Sequence, residues 1–240
     1  MGTLNYIADN VRIVREKIAE AADKCGRNVN DITLIGVTKT ATLPEINALI
    51  DANVTNLGEN RVQDFLPKHL EMTAKNPIWH FIGHLQRNKV KQVVDKVSLI
   101  HSVDSIELAR EINKRAEQVN RTVDILIEIN IANEPTKHGI SPTNLNELSE
   151  QIFELSNTRM CGLMCVAPFV ESAEKNRRFF AKMQDLGHEI CAKKNIDFGK
   201  SVPYTDAPFH LSMGMSNDYI EAISFNASMI RIGTALLDKQ

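Results

Sequence analysis

The chain has 240 residues, of which 43% are hydrophobic and 24% charged, and its formal net charge is −2. This composition is typical of an ordinary folded protein, and the absence of a basic excess argues against nucleic-acid binding. No apolar run reaches the roughly 18 residues that cross a bilayer, and the N-terminus lacks the features of a signal peptide. We therefore expect a cytoplasmic protein that contacts no membrane.

The chain begins with a predicted helix over residues 4–25, because Leu4, Ile7, Val11 and Val14 follow helical spacing. After it, short apolar segments alternate with amphipathic ones. The predicted strands lie at 32–37, 54–57, 78–82, 99–103, 123–130, 160–166, 209–213 and 229–232. The predicted helices between them lie near 43–52, 60–75, 86–96, 105–119, 143–156, 173–194 and 217–224.

Eight strands that alternate with helices favour a parallel sheet, and their nearly continuous apolar character predicts that helices cover the sheet. We predict a (β/α)8 TIM-type barrel with an extra N-terminal helix, forming a single domain over residues 1–240. An open doubly wound sheet is the structural alternative. It normally has a glycine-rich first turn, whereas the first strand here ends in Val37-Thr38-Lys39-Thr40.

The residues that often bind metals form no recognisable motif. His80 and His84 flank a strand end and have no adjacent glutamate, so they do not form the H-E-x-x-H motif. We predict that His80 is a hydrogen-bonded core residue, that His84 lies at the rim, and that no metal site is present. The four cysteines are predicted to be buried reduced thiols: Cys25, Cys161, Cys165 and Cys191.

The carboxyl ends of strands seven and eight carry small and hydroxyl residues. In TIM barrels the active site lies at these ends, and phosphate often binds after the last two strands. Gly214 and Gly233 let the backbone approach an anion, while Ser212, Ser216 and Thr234 can donate to its oxygens. Either turn alone is more often structural, but together they predict a phosphate site.

Two cationic residues belong to the same end of the barrel. Strand one lies beside strand eight when the barrel closes, so Lys39 is expected near the phosphate loops. A lysine amine forms imines with aldehydes. Arg231 lies in an apolar strand and must find an acceptor, which could be a pyridine nitrogen or a barrel carboxylate such as Glu128.

Seven ordered segments span almost the whole chain: Gly36-Val37-Thr38-Lys39-Thr40, Gly58-Glu59-Asn60, Trp79-His80-Phe81-Ile82-Gly83, Leu85-Gln86-Arg87-Asn88-Lys89, Gly162-Leu163-Met164, Leu211-Ser212-Met213-Gly214-Met215-Ser216 and Arg231-Ile232-Gly233-Thr234. Jointly they closely resemble the pyridoxal phosphate homeostasis protein family. That family has the fold of the alanine racemase N-terminal domain.

The resemblance implies that the cofactor is pyridoxal 5′-phosphate. Lys39 matches the Schiff-base lysine, Arg231 the arginine that faces the pyridine nitrogen, and Asn60 an asparagine near the ring. The positions that match phosphate contacts are Ser212, Gly233 and Thr234. His80 and Met213, which lie in matching segments, complete the predicted cofactor-binding set.

Family members are implied to buffer the cofactor or deliver it to apo-enzymes that depend on pyridoxal phosphate. We therefore predict a role in intracellular cofactor homeostasis, with no catalytic residues. A pyridoxal-phosphate-dependent racemase-like enzyme acting on amino acids is the alternative. A phosphosugar-type barrel enzyme without a cofactor is a further alternative, and the combination of Lys39 with Arg231 argues against it.

Alanine racemase adds a β-rich second domain and receives a tyrosine acid/base from a partner subunit. Strand eight here ends a few residues before Gln240, so we expect no such domain. Tyr204 and Tyr219 flank strand seven, but neither lies in a motif that places it opposite Lys39. A second amine, Lys137, follows strand five and is expected to be a solvated loop residue, with transient acceptance of the aldehyde as the alternative.

Overall fold

The computed structural model describes residues 4–168, 172–196, 198 and 209–239, and its centre is a closed parallel barrel. Eight strands follow one another around the barrel in chain order, and the last pairs with the first. They are β1 Thr33–Val37, β2 Asn56–Glu59, β3 Ile78–Phe81, β4 Leu99–Val103, β5 Val123–Ile129, β6 Thr158–Cys165, β7 His210–Ser212 and β8 Met229–Ile232. The predicted fold class is confirmed.

The barrel closes through the register between β1 and β8, in which Ile35 pairs with Arg231 and Gly36 with Ile232. Because parallel strands end at the same edge, this register places the turn after Val37 beside the turn after Ile232. The neighbourhood predicted for Lys39 therefore follows directly from the closure of the barrel.

Helices surround the strands. They are α1 Asn5–Lys24, α2 Leu43–Asp51, α3 Val62–Glu71, α4 Ile106–Gln118, α5 Leu145–Phe153, α6 Arg177–Lys194, α7 Tyr219–Ile223 and α8 Thr234–Leu237. The extra helix α1 buries an apolar face that includes Ile7, Val11 and Val14, and it packs against α2, α7 and α8. No helix among the described residues is both long enough and apolar enough to cross a membrane.

Most predicted bounds shift by one to four residues, and two elements show the reasons. The segment predicted as a helix over 86–96 contains only a 3-10 helix, Arg87–Gln92, and then turns. Its valines explain the difference, because β-branched side chains disfavour an α-helix; Val90, Val93 and Val94 are buried instead in the short connection to β4. Strand β2 starts at Asn56 rather than 54, because the residue at 54 closes the end of α2 through a bond to Leu49.

The cysteines follow the prediction with one exception. Cys161, Cys165 and Cys191 are buried, whereas Cys25 is exposed. Cys25 ends α1 at the amino-terminal end of the barrel, where its thiol lies 3.5 Å from the hydroxyl of Ser224. The prediction of burial was wrong for Cys25 because the apolar face of α1 ends before it.

Candidate functional site

A cavity of about 690 Å³ opens at the carboxyl ends of the strands. This volume is in the range of pockets that hold small molecules. Four of the predicted site residues line the cavity: Lys39, Arg231, Gly233 and Thr234. Lys137 and Ser216 line it as well, so the turns after β1, β5, β7 and β8 share one space.

Hydrogen bonds fix the backbone of the turn that carries Lys39, whereas the amine of Lys39 is left without a partner among the described residues. Lys39 is exposed and makes no hydrogen bond or ion pair with the described residues. The preceding carbonyl, of Thr38, accepts a hydrogen bond of 2.6 Å from Lys68 Nζ. Lys68 also pairs at 2.7 Å with the buried carboxylate of Glu59. The backbone before Lys39 is therefore fixed, while the nucleophile remains available.

Lys137 presents a second amine to the cavity, but this one is paired. Its Nζ lies 2.8 Å from Glu134 Oε1 and donates to the carbonyl of Ala167 at 3.3 Å. Lys137 is half-buried, so it differs from the solvated loop lysine that the sequence predicted. The two lysines of the cavity thus differ in whether their amines are engaged.

The turns after β7 and β8 are joined by one hydroxyl. Ser216 Oγ accepts hydrogen bonds of 3.3 Å from the backbone N–H groups of Gly233 and Ala235. As an acceptor in both bonds, the Ser216 hydroxyl keeps its own hydrogen for another partner. The turn needs Gly214, whose φ is +91° and whose missing Cβ would lie 2.7 Å from Ala222 Cβ.

The short helix α7 begins directly after Asp218, whose side chain makes no capping hydrogen bond to the helix but fixes the turn before it. Asp218 Oδ1 accepts from the backbone N–H of Met215 at 2.7 Å, and Oδ2 accepts from Asn176 Nδ2 at 2.8 Å. Ser216 and Asn217, which precede Asp218 in this turn, line the cavity.

Arg231 lies at the base of the cavity and is buried. Its guanidinium donates to Ser212 Oγ at 2.6 Å and to the carbonyl of Cys165 at 2.8 Å. It makes no hydrogen bond or ion pair with Glu128, the carboxylate considered as its alternative partner. Burial lowers the pKa of Arg231 from its ordinary value. Its other N–H groups remain for an acceptor in the cavity.

Ser212 belongs to the barrel interior and Met213 to the large hydrophobic core, and neither lines the cavity. Both are completely buried. Ser212 Oγ lies between the guanidinium of Arg231 and Nδ1 of His101, 2.9 Å away. In this arrangement Ser212 reaches the cavity only through Arg231.

His80 is a buried hydrogen-bonded residue, as the sequence predicted. Its Nδ1 lies 3.0 Å from His101 Nε2 and its Nε2 lies 3.0 Å from Asn56 Oδ1. Burial lowers the pKa of His80 to about 3 and that of His101 well below its ordinary value. The sequence did not single out His101, although a histidine within an apolar strand was a visible signal.

Asn60 carries an orphaned acceptor. Its Oδ1 is buried and has no hydrogen-bond partner among the described residues. The backbone of Asn60 is held against Gly83, since a Cβ there would lie 2.2 Å from the carbonyl oxygen of Asn60. A buried acceptor without a donor is unfavourable, so the position fits a ligand that donates a hydrogen bond.

Three residues with metal-binding side chains meet at the rim: His84, Asp104 and His138, whose ligating atoms lie within 4.8 Å of one another. They come from the loops after β3, β4 and β5. The two imidazole rings are stacked, with centroids 4.0 Å apart and planes 10° apart. Lone pairs in parallel rings do not converge on one ion, so the observed arrangement is a stacked pair beside a carboxylate.

The two tyrosines that the structure describes offer no acid/base group to the cavity. Tyr6 donates to Glu45 at 3.2 Å, and Tyr219 is buried in α7. Neither of them lines the cavity. Tyr204 lies outside the described residues.

Comparison with known proteins is consistent across sequence and structure. The family model for the alanine racemase N-terminal domain matches residues 3–238. A pyridoxal phosphate homeostasis protein of Aquifex aeolicus is 41% identical over 227 residues, which are 95% of this chain and 95% of the relative. A crystal structure of an unknown protein from Bifidobacterium adolescentis has a TM-score of 0.85 at 33% identity, covering 96% of this chain and 94% of that one.

A further solved structure contains a ligand. PipY of Synechococcus elongatus, with pyridoxal phosphate bound, has a TM-score of 0.77 at 30% identity, covering 92% of this chain and 99% of that one. The resemblance inferred from the sequence is confirmed. The chain therefore belongs to the family of the alanine racemase N-terminal domain and, within it, to the pyridoxal phosphate homeostasis proteins.

Proposed function

We propose that this chain binds pyridoxal 5′-phosphate in the carboxyl-end cavity and holds it as a Schiff base on Lys39. The observation that carries the proposal is the unengaged amine of Lys39, which shares one cavity with Arg231 and with the joined turns after β7 and β8. The names of the relatives and the ligand of PipY support the same cofactor.

The residues of the cavity fit the parts of this cofactor. The hydroxyls of Ser216 and Thr234 suit the phosphate, because oxyanions take hydrogen bonds from hydroxyl donors, and Gly233 allows a close approach because it has no side chain. Arg231 suits the ring nitrogen. Asn60 is not among the residues that line the cavity, but its buried Oδ1 has no donor among the described residues, and we propose it for a donor on the ring edge. When bound, the cofactor supplies an aldehyde that an amine can bind reversibly.

The predicted residues that do not line the cavity are expected to affect the cofactor indirectly. We propose that Ser212 contacts the cofactor through Arg231, and that His80 and Met213 contribute by supporting the strands beneath the cavity. The whole of residues 1–240 then forms one cofactor-binding domain.

We propose that the chain stores or delivers the cofactor in the cytoplasm, with apo-enzymes that need it as the recipients. An arginine at the ring nitrogen disfavours protonation of that nitrogen, which weakens the ring as an electron sink. A positioned general acid or base contributes about 10²–10⁴-fold to a rate. Of the described tyrosines none lines the cavity, so turnover of amino acids should be negligible.

The decisive experiment compares the wild type with Lys39→Ala and Lys137→Ala. The wild type and Lys137→Ala should bind pyridoxal phosphate with a visible absorption band, and borohydride should remove this band while leaving the cofactor permanently attached; Lys39→Ala should show neither. Peptide mapping should find the reduced label on Lys39 and none on Lys137. An unlabelled Lys39, or a wild type without affinity for the cofactor, would overturn the proposal.

A transfer assay separates storage from catalysis. The loaded wild type should activate an apo-enzyme that needs pyridoxal phosphate, at a rate that follows release of the cofactor. Turnover of many equivalents of one amino acid by the wild type, lost in Lys39→Ala, would instead favour the racemase-like enzyme.

A further inference from the structure

One continuous hydrogen-bonded chain crosses the interior of the barrel from β8 to β2. Arg231 Nη1 lies 2.6 Å from Ser212 Oγ, which lies 2.9 Å from His101 Nδ1. His101 Nε2 lies 3.0 Å from His80 Nδ1, and His80 Nε2 lies 3.0 Å from Asn56 Oδ1. Each member comes from a different strand, so the chain exists only in the closed barrel.

The two ends of this chain fix its direction. A guanidinium only donates and an amide oxygen only accepts. A neutral imidazole has one donor and one acceptor, so a single arrangement satisfies every member. His80 donates from Nε2 to Asn56, His101 donates from Nε2 to His80, and Ser212 donates its hydroxyl hydrogen to His101 Nδ1. The lone pairs of Ser212 then face Arg231.

The burial of the histidines keeps this direction in place. His80 is 3% exposed, and both His101 and Ser212 are 0% exposed. A second proton on His101 would set its Nδ1–H against the hydroxyl hydrogen of Ser212 and would add a cation close to Arg231. The interior therefore favours the neutral, one-directional state.

We propose that His101 is a positioning residue for Arg231. By accepting the hydrogen bond from the Ser212 hydroxyl, His101 fixes the lone pairs of the serine toward the guanidinium. The second bond of the guanidinium goes to the carbonyl of Cys165. Two fixed acceptors hold the planar guanidinium in one orientation, with its free N–H groups toward the cavity. The effect on the cofactor rests on the proposed function, but the hydrogen-bond direction does not.

The first test needs no cofactor. In the full chain labelled with ¹⁵N-histidine, NMR should show both His80 and His101 as neutral imidazoles with the proton on Nε2. This result would support the chain whether or not pyridoxal phosphate binds. A proton on Nδ1 of His101 would overturn the proposal, because Ser212 could not then act as an acceptor for Arg231 alone.

The second test uses two ligands: pyridoxal 5′-phosphate and its 1-deaza analogue, in which C–H replaces the ring nitrogen. The wild type should prefer the natural compound by roughly tenfold to a hundredfold, as expected for one charge-assisted hydrogen bond. His101→Leu should lose most of this preference, and His101→Gln, which keeps a donor and an acceptor, should recover part of it. A merely structural role would weaken both ligands equally.

The matched control is His210→Leu. His210 is another histidine of the barrel strands and is half-buried, but it pairs with Ser228 and lies outside the chain. This variant should keep the wild-type preference. If His101→Leu fails to fold, Ser212→Ala breaks the same link and should lose the preference as well.

Two results would overturn the proposal here. One is a wild-type preference retained in both His101→Leu and Ser212→Ala. The other is a wild type that binds the two ligands equally, since the orientation of Arg231 would then have no effect at the ring. Absence of binding by both ligands would instead contradict the proposed function, and the NMR result would still decide the direction of the chain.

Discussion

Polar groups on the two sides of Arg231 differ in whether they have hydrogen-bond partners. Below it, in the barrel interior, Ser212, His101 and His80 are buried and each has hydrogen-bond partners. Above it, Lys39 has no partner among the described residues. Paired buried groups maintain a shape, whereas polar groups left without partners at a cavity indicate a place for a ligand. This contrast distinguishes the residues that support the site from the residues that would contact a ligand.

The same contrast divides the lysines. Lys68 has two partners and holds the turn, while Lys39 on that turn has none among the described residues. Variants of the supporting region should therefore reduce stability, and variants of the cavity surface should reduce binding without that loss.

The largest effect is expected for Lys68→Met. Glu59 is completely buried and Lys68 is 14% exposed. Removal of the amine leaves a buried carboxylate without its cation, with the Thr38 hydroxyl as its remaining donor, and leaves the carbonyl of Thr38 without the amine that donated to it. We expect the free energy of unfolding to fall by about 3–5 kcal/mol, measured by denaturant titration. The exposed pair of Lys75 and Asp51 provides the control, because Lys75→Met should cost at most about 1 kcal/mol. Equal losses of stability in Lys68→Met and Lys75→Met would contradict the proposed difference between the buried and the exposed ion pair.

Acid should destabilise the chain through its buried histidines. Burial lowers the pKa of His80 to about 3 and that of His210 to about 4, whereas an unfolded histidine titrates near 6.5. The unfolded state therefore takes up protons first, so this contribution to stability is present above about pH 6.5 and is lost as the pH falls toward the folded values. Each histidine adds up to about 1.4 kcal/mol per pH unit to the slope.

Glu128 opposes this trend, since burial and then Asp104 raise its pKa to about 7. Its contribution favours the folded state below the unfolded value and is lost as the pH rises toward 7. Denaturant titrations at several values from about pH 7 to about pH 4 should still show a net loss of stability. His210→Phe should flatten the slope, while a change at the exposed His188, His188→Gln, should leave it unchanged.

Smaller effects are expected at the hydroxyls of the cavity. Ser216→Ala and Thr234→Ala should each weaken binding of pyridoxal phosphate by about 1–3 kcal/mol, because a bound anion loses a donor. Pyridoxal without its phosphate should bind far more weakly and should not respond to these changes. Thermal stability should change little in Thr234→Ala, in contrast to Ser212→Ala in the interior and to Ser216→Ala, which also removes the acceptor of two backbone N–H groups. Equal affinity for the two forms of the vitamin would contradict the phosphate assignment.

Much of the site followed from sequence because the barrel itself orders it. Lys39, Arg231, Gly233 and Thr234 were predicted at one end, and parallel strands in chain order bring these ends together. The runs of apolar residues were sufficient to find every strand, although the valines of the segment after β3 imitated a helix.

The contacts that support these residues could not be predicted from the local sequence. Lys68 looks like any helical surface charge, and its contact with Thr38 depends on how α3 packs. His101 joins Ser212 across 111 positions of the chain, a separation that no spacing rule covers. A weaker signal was present, since single polar residues interrupt several apolar strands. Their mutual pairing depends on which face of each strand points inward.

Cys25 gives the chain a convenient attachment point for a fluorescent dye. Burial raises the pKa of the Cys161 and Cys165 thiols to about 12, and Cys191 is buried as well, so a maleimide should react first at the exposed thiol. Cys25 lies at the end of the barrel opposite Lys39. A dye there could follow loss of a coloured cofactor by energy transfer, in real time and without a further change to the protein.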